Sequence, residues 1–146
     1  MDDKVILLVE DNPSDIGLTK RALEKNGIGN KLVVAEDGQE ALDYIFCNGV
    51  HRTRDIADMP VLVLLDLNLP RVEGLDVLHR IRADRRTRCI PVVILTSSTE
   101  EHDVATAYHR GTNSYICKPV DFKQFSEVVK QLGLYWLVIN QPPPAP

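Results

Sequence analysis

No apolar run in this 146-residue chain comes near the roughly twenty residues that a membrane-spanning helix needs. The opening Met1-Asp2-Asp3-Lys4 lacks a signal-peptide pattern. No membrane role is expected, and the chain reads as cytoplasmic. Cysteine is scarce: Cys47, Cys89 and Cys117 are odd in number, widely spaced and without a C-x-x-C pair. That excludes a disulfide framework and a zinc knuckle. His51, His79, His102 and His109 show no ligand spacing either, so surface or capping roles are expected. Positive charge is not in excess. A net charge of -4 argues against general nucleic-acid affinity. The basic stretch Arg80 to Arg88, interrupted by Asp84, reads as the solvated end of a helix. Internal repeats are missing. Biased composition is confined to Gln141 to Pro146, whose prolines disfavour helix and strand.

What is present describes one α/β domain. Hydrophobic residues make up 44% and charged residues 26%, ordinary for a globular chain of a length that buries a real core. Short runs of Val, Ile and Leu at 4–9, 31–35, 61–65, 91–95 and 114–117 read as strands. Several are apolar at nearly every position, as strands covered on both faces should be; the second is the least apolar, as an edge strand would be. Between and after them lie five stripes of helical period. The first is Ile16, Thr19 and Leu23; the second is Ala41, Leu42, Ile45 and Phe46; the third is Leu75, Leu78 and Ile81. The fourth is Val104, Ala107 and Tyr108, and the fifth is Phe122, Phe125, Val128, Val129 and Leu132. Asn12-Pro13, Asp37 and Thr99 are expected to start helices, and Gly111 and Gly133 to close them. Cys47 and Cys117 fall in apolar patterns and are expected to be small core residues. The stretch 48–60 is long for a helix-to-strand connection and reads as a tolerated surface loop.

Such alternation implies parallel strands, right-handed crossovers and helices on both faces. It also gives meaning to the polar residues. Val5 to Val9 runs into Glu10-Asp11, Val61 to Leu65 into Asp66, Val92 to Leu95 into Thr96, and Tyr115-Ile116-Cys117 into Lys118-Pro119. Ligands of open parallel sheets bind outside the carboxyl ends of the strands, so these residues converge. Each has an ordinary role by itself, as a loop acid, a strand-end carboxylate, a cap or a solvated lysine. Taken jointly, those roles make it a coincidence that all of them end strands with compatible chemistry. Glu10, Asp11 and Asp66 suit Mg²⁺, which takes one or two carboxylates together with phosphate oxygens and water. A carbonyl near Asn68 offers a further ligand. Asp66 is placed to attack phosphorus, Lys118 to pair with the resulting phosphate, and Thr96 to donate a hydrogen bond to it.

With Glu10-Asp11, Asp66, Leu69-Pro70, Gly74, Thr96-Ser97, Gly111, Tyr115 and Lys118-Pro119 in register, residues 4 to about 132 resemble a response-regulator receiver domain of bacterial two-component signalling. The resemblance implies a flavodoxin-like, doubly wound sheet of order 2-1-3-4-5 with five helices. It implies Asp66 as phosphoacceptor, Glu10, Asp11 and Asp66 around Mg²⁺, Lys118 on the phosphoryl group, and Thr96 with Tyr115 as the switch pair. It further implies a cis Lys118-Pro119 bond. Asn68 and Ser98 lie where the family tunes dephosphorylation. Departures are small: Leu69 replaces a common methionine, Thr112 a common alanine, and Glu10 an aspartate.

The loop at 48–60, the Leu67-Asn68-Leu69-Pro70-Arg71 turn and the ending from Leu132 are similar to the stand-alone regulators that partner bacterial phytochrome histidine kinases. The expected domain is 1–133, with 134–146 an extension and no output domain. A sensor histidine kinase is then the expected partner, and altered protein contacts the output. The apolar run Leu134, Tyr135, Trp136, Leu137, Val138 and Ile139 is expected to pair two chains through the last helix and its extension, with Trp136 as anchor. Folding back on its own domain is the competing fate. Three other readings are weighed. A hydrolase of haloacid dehalogenase type wants a second aspartate where Asn68 stands, a flavoprotein would have its phosphate repelled by Glu10-Asp11, and a receiver-like scaffold that never carries phosphate would usually have lost one of these groups.

Overall fold

The computed structural model describes residues 4–144. Met1 to Asp3, and Ala145 and Pro146 of the tail, lie outside the described residues. Five βα units follow in order: β1 (Val5–Val9), α1 (Pro13–Lys25), β2 (Lys31–Ala35), α2 (Gly38–Ile45), β3 (Leu62–Leu65), α3 (Gly74–Ala83), β4 (Val92–Thr96), α4 (Glu101–His109), β5 (Ser114–Cys117) and α5 (Phe122–Gly133). The strands form one parallel sheet of order β2-β1-β3-β4-β5. This is the flavodoxin-like arrangement expected from the resemblance, with β2 on an edge.

The two-residue alternation of a strand sorts the core into two layers. Leu7, Val9, Val63, Leu65, Val92 and Ile94 face α2, α3 and α4 through Ala41, Leu42, Ile45, Val77, Leu78, Ile81 and Ala107. Ile6, Leu8, Leu62, Leu64, Val93 and Leu95 face α1 and α5 through Ala22, Leu23, Phe125, Val129 and Leu132. Because β1, β3 and β4 are apolar on both sides, their first polar residues are forced to the strand ends.

Local signals place the helices. Asn12 Oδ1 accepts from the backbone N–H groups of Ser14 and Asp15, with Pro13 at the first helical position. Asp37 Oδ1 accepts from Glu40 N at 2.7 Å. Gly111 follows α4 at φ +97°, a conformation that glycine adopts without strain.

Several expectations are corrected. Thr99 does not cap α4: Glu100 holds that position and its carbonyl accepts from Val104 N. Gly133 ends α5 without the left-handed turn expected of a closing glycine. It has φ -60° and the chain continues as a π-helical stretch, Leu134–Ile139. A Cβ on Gly133 would sit 2.2 Å from Ile28 Cδ1, so this glycine serves close approach of the α1–β2 loop. Tyr108 is exposed, and Ala107 is the α4 residue that meets the sheet. Cys117 is exposed at the end of edge strand β5, and Cys47, at φ 58° in the turn after α2, is half-buried. The 48–60 stretch contains a short 3-10 turn, Gly49–His51. Arg54 anchors it, donating to the carbonyls of Tyr44 and Asp58.

Glycines separate two situations. A Cβ on Gly74 would lie 2.1 Å from the Asp66 carbonyl oxygen and 2.7 Å from Leu67 Cα, backbone atoms that cannot yield cheaply. Gly17, inside α1, has nothing within 4 Å of that position. Gly74→Ala should therefore destabilise the fold by roughly 2 kcal/mol or more, while Gly17→Ala should stabilise it by about 0.5–1 kcal/mol. Urea midpoints of the two variants check both signs.

Candidate functional site

The ladder that builds the sheet also builds the site. Glu10 N donates to Ala35 O, Asp66 N to Val9 O, and Lys118 N to Thr96 O, at 2.9, 3.0 and 2.7 Å. Each pairing carries the sheet one residue past a strand end, so Glu10, Asp66, Thr96 and Lys118 stand side by side on rigid backbone. The loop from Asp66 to Gly74 is folded tightly over α2. Gly38 N donates to Pro70 O, and Arg71, at φ 65°, pairs with both oxygens of Asp37.

Side chains then converge on Asp66. Thr96 Oγ1 donates to Asp66 Oδ1 at 2.7 Å, and Asn68 N reaches the same oxygen at 3.3 Å. Lys118 Nζ donates to Asp66 Oδ2 at 3.0 Å, to Asp15 Oδ2 at 2.8 Å and to Glu10 Oε1. Glu10 Oε2 accepts from Asn12 N at 3.2 Å. Thr96 is fully buried, and Glu10 and Asp66 are 2% and 7% exposed, whereas Asp11 faces solvent. Among the described residues, no buried side-chain nitrogen or oxygen lacks a partner.

Charge is uneven across this cluster. Burial, with Asp66 alongside, outweighs the Lys118 ammonium and raises the Glu10 carboxyl from 4.5 to about 7. Burial also pushes Asp66 up, but the Thr96 hydroxyl and Lys118 outweigh it and hold that carboxyl below its ordinary value. Burial acts to lower Lys118; Asp15, Glu10 and Asp66 together reverse that and raise it. Asp66 is thus the ionised member of the buried pair.

Carboxylate oxygens of Glu10, Asp11 and Asp66 lie within 4.8 Å of one another. Three such oxygens, two from buried residues, fit a hard divalent cation that brings its own water and phosphate ligands. The Asn68 side chain is exposed.

Residues 6–130 match the family model of the response regulator receiver domain. The chain belongs to that family. It is 41% identical over 143 residues to the probable methanogenesis regulatory protein FilR2 of Methanothrix harundinacea, spanning 97% of this chain and 89% of that protein. The phosphorylated cyanobacterial phytochrome response regulator RcpA is similar in structure, with a TM-score of 0.90, 37% identity and coverage of 97% and 99% of the two chains. The Mn²⁺-bound form of response regulator Rcp1, the Synechocystis regulator, gives 0.87 and 35% over the same shares. This receiver is therefore a phosphoacceptor signalling module whose close relatives include stand-alone phytochrome response regulators.

Of the sequence-derived site residues, Glu10, Asp11, Asp66, Thr96 and Lys118 come together. Tyr115 stands one step away. Its hydroxyl donates to the Ser98 carbonyl at 3.0 Å, and its half-buried ring packs against the α2–α4 side of the core. The Lys118-Pro119 bond is trans, as are all peptide bonds of the described residues, in place of the cis bond expected from the resemblance. Trans is the lower-energy form. Asp15 was not legible as a site residue. Its position, one helical turn after Asp11 and behind an Asn-Pro start, is the signal that points to it.

The raised Glu10 carboxyl sets a pH dependence. Between pH 4.5 and about 7 the folded chain keeps a proton that the unfolded chain has lost, so Glu10 makes stability fall as pH rises through that window without divalent cation. Glu10→Gln should flatten this slope in urea titrations run at stepped pH. Equal slopes in the two proteins would count against the raised value.

Proposed function

We propose that this receiver accepts a phosphoryl group from the phosphohistidine of a sensor kinase onto Asp66 in a Mg²⁺-dependent reaction, and signals by altered protein contacts. The observation that carries the reading is the Asp66 carboxylate, buried yet ionised, held between the Thr96 hydroxyl and the Lys118 ammonium. An Asp66 oxygen forms the new bond to phosphorus as the phosphorus–nitrogen bond breaks, and the electron pair leaves with the imidazole. Glu10, Asp11 and Asp66, with a carbonyl near Asn68, would hold the Mg²⁺, which would supply neutralisation of the gathering negative charge and polarisation of the phosphoryl oxygens. Lys118 pairs with the transferred group. Lys118, Thr96 and Asp66 are the groups in contact with the chemistry. The protein assists its own phosphorylation and dephosphorylation but turns over no other substrate.

Thr96 and Tyr115 form the switch. Thr96 donates to Asp66 here, and a phosphoryl oxygen is a stronger acceptor in the same direction. Tyr115 reports on the loop that follows β4 because its hydroxyl is tied to Ser98 within that loop. The kinase is of the phytochrome class, as supported by the relatives, and the three free thiols fit a reducing cytoplasm.

The unit that signals is a homodimer through α5 and its extension. Leu134, Tyr135, Val138 and Ile139 are exposed, whereas Trp136 and Leu137 pack on the α1–α5 side of the same chain. Val138 and Ile139 therefore replace Trp136 as the expected anchors.

Three measurements test this. A kinase or acetyl phosphate with Mg²⁺ should add one phosphate to the wild type and none to Asp66→Asn, with EDTA blocking uptake; labelling retained in the Asn variant would falsify the assignment. Thr96→Ala should still take up phosphate but lose the phosphate-dependent chemical-shift changes at Tyr115, and a normal response from that variant defeats the switch. Light scattering should give twice the chain mass, and Val138→Asp with Ile139→Asp should give a folded monomer. A wild-type monomer at all workable concentrations ends the dimer reading.

A further inference from the structure

An ammonium has three N–H donors, and all three of Lys118 are taken, by Glu10, Asp15 and Asp66. Two of these acceptors belong to the carboxylate group that suits a cation, and the third does not: that group is Glu10, Asp11 and Asp66. The backbone from which the Asp15 carboxylate projects is also fixed. It lies in the first turn of α1, its N–H is bonded to the Asn12 cap at 3.3 Å, and its carbonyl accepts from Thr19 Oγ1 at 2.8 Å. Lys118 approaches from 103 residues later in the chain, one residue past the edge strand β5.

We propose that Asp15 is the positioning residue for Lys118, keeping its ammonium at the strand ends when Glu10 and Asp66 turn to a cation and a phosphoryl group. This rests on the function proposed above. Lysine is a point charge on a flexible stem, so its place in a reaction has to be imposed from outside. Glu10 and Asp66 cannot impose it throughout, because each is engaged by another partner once metal and phosphoryl group arrive. Asp15 is free of both and keeps one N–H fixed. A carboxylate in the first turn of a helix also favours the helix simply by its charge. That ordinary role predicts a change in stability and nothing at Lys118.

The test compares wild type, Asp15→Asn, Lys118→Ala and the double variant. Uptake from acetyl phosphate with Mg²⁺ is followed by intact mass, and the Lys118 ammonium by its ¹H–¹⁵N correlation without metal or phosphodonor. Asp15→Asn should slow uptake about tenfold, the scale on which partners behind a reacting group act, and should not slow it further in the Lys118→Ala background. The Lys118 ammonium signal should be visible in the wild type and lost to solvent exchange in Asp15→Asn. Wild-type uptake by Asp15→Asn, equal slowing in the Lys118→Ala background, or an unchanged ammonium signal each overturns the proposal. Should the wild type take up no phosphate, the function proposed above fails, and the ammonium signal still decides whether Asp15 holds Lys118.

Discussion

Burying carboxylates at the end of an apolar sheet is the constraint on which the rest of this structure depends, and the Lys118 ammonium is what meets it. Glu10 and Asp66 are almost wholly removed from water on neighbouring strands. Two such acids repel one another and lose solvation, costs that only a cation or a proton relieves. Lys118 supplies the positive charge, and Glu10 keeps the proton to about pH 7. Ammonium and proton together offset the charge of the two buried acids.

The fold contributes position more than chemistry. Strands apolar on both faces admit no polar side chain until they end, so the sheet exports its polar residues to one rim. There, three backbone hydrogen bonds extend the ladder by one residue past β1, β3 and β5. A displacement of any of these strands would move a rim side chain with it. Gly74 and Gly38 show how tightly the rim is closed: a Cβ on Gly38 would fall 1.9 Å from the Val72 carbonyl oxygen. The loop between Asp66 and α3 accordingly has one path.

The sheet, its helices and the rim residues were readable because they rest on periodicity and on strand ends, both properties of short segments. The five strands end within a residue of where they are expected, and a helix carries each of the five stripes. What escaped depends on distant packing. Gly133 looks like a helix stop until Ile28 is seen against it, and Cys117 looks like core until β5 proves to be an edge. Tyr108 fits a helical stripe, but the sheet receives the smaller Ala107. Asp15 reads as an acid favouring a helix start, and only the third dimension brings Lys118 to it. Trp136 and Leu137 read in sequence as part of one apolar run, although the turn of the chain divides that run between the protein's own core and its surface.

The Thr96–Asp66 bond bears on how such a rim can switch. A hydrogen bond to a charged group contributes about 1.5–3 kcal/mol, which is a large gap for a signal to overcome if the bond had to be broken outright. Here it need not be broken without replacement. A phosphoryl group on Asp66 would offer Thr96 a new acceptor close to the old one, so the loss of one bond is offset by the gain of another. On the proposed reading the net change would then be small, which is what a population shift requires. Tyr115 extends this economy outward. Its hydroxyl holds the backbone of Ser98, two residues from Thr96, and its ring lies only partly within the core. On the proposed reading, movement of the β4–α4 loop would exchange one part-buried hydrogen bond and part of one aromatic surface.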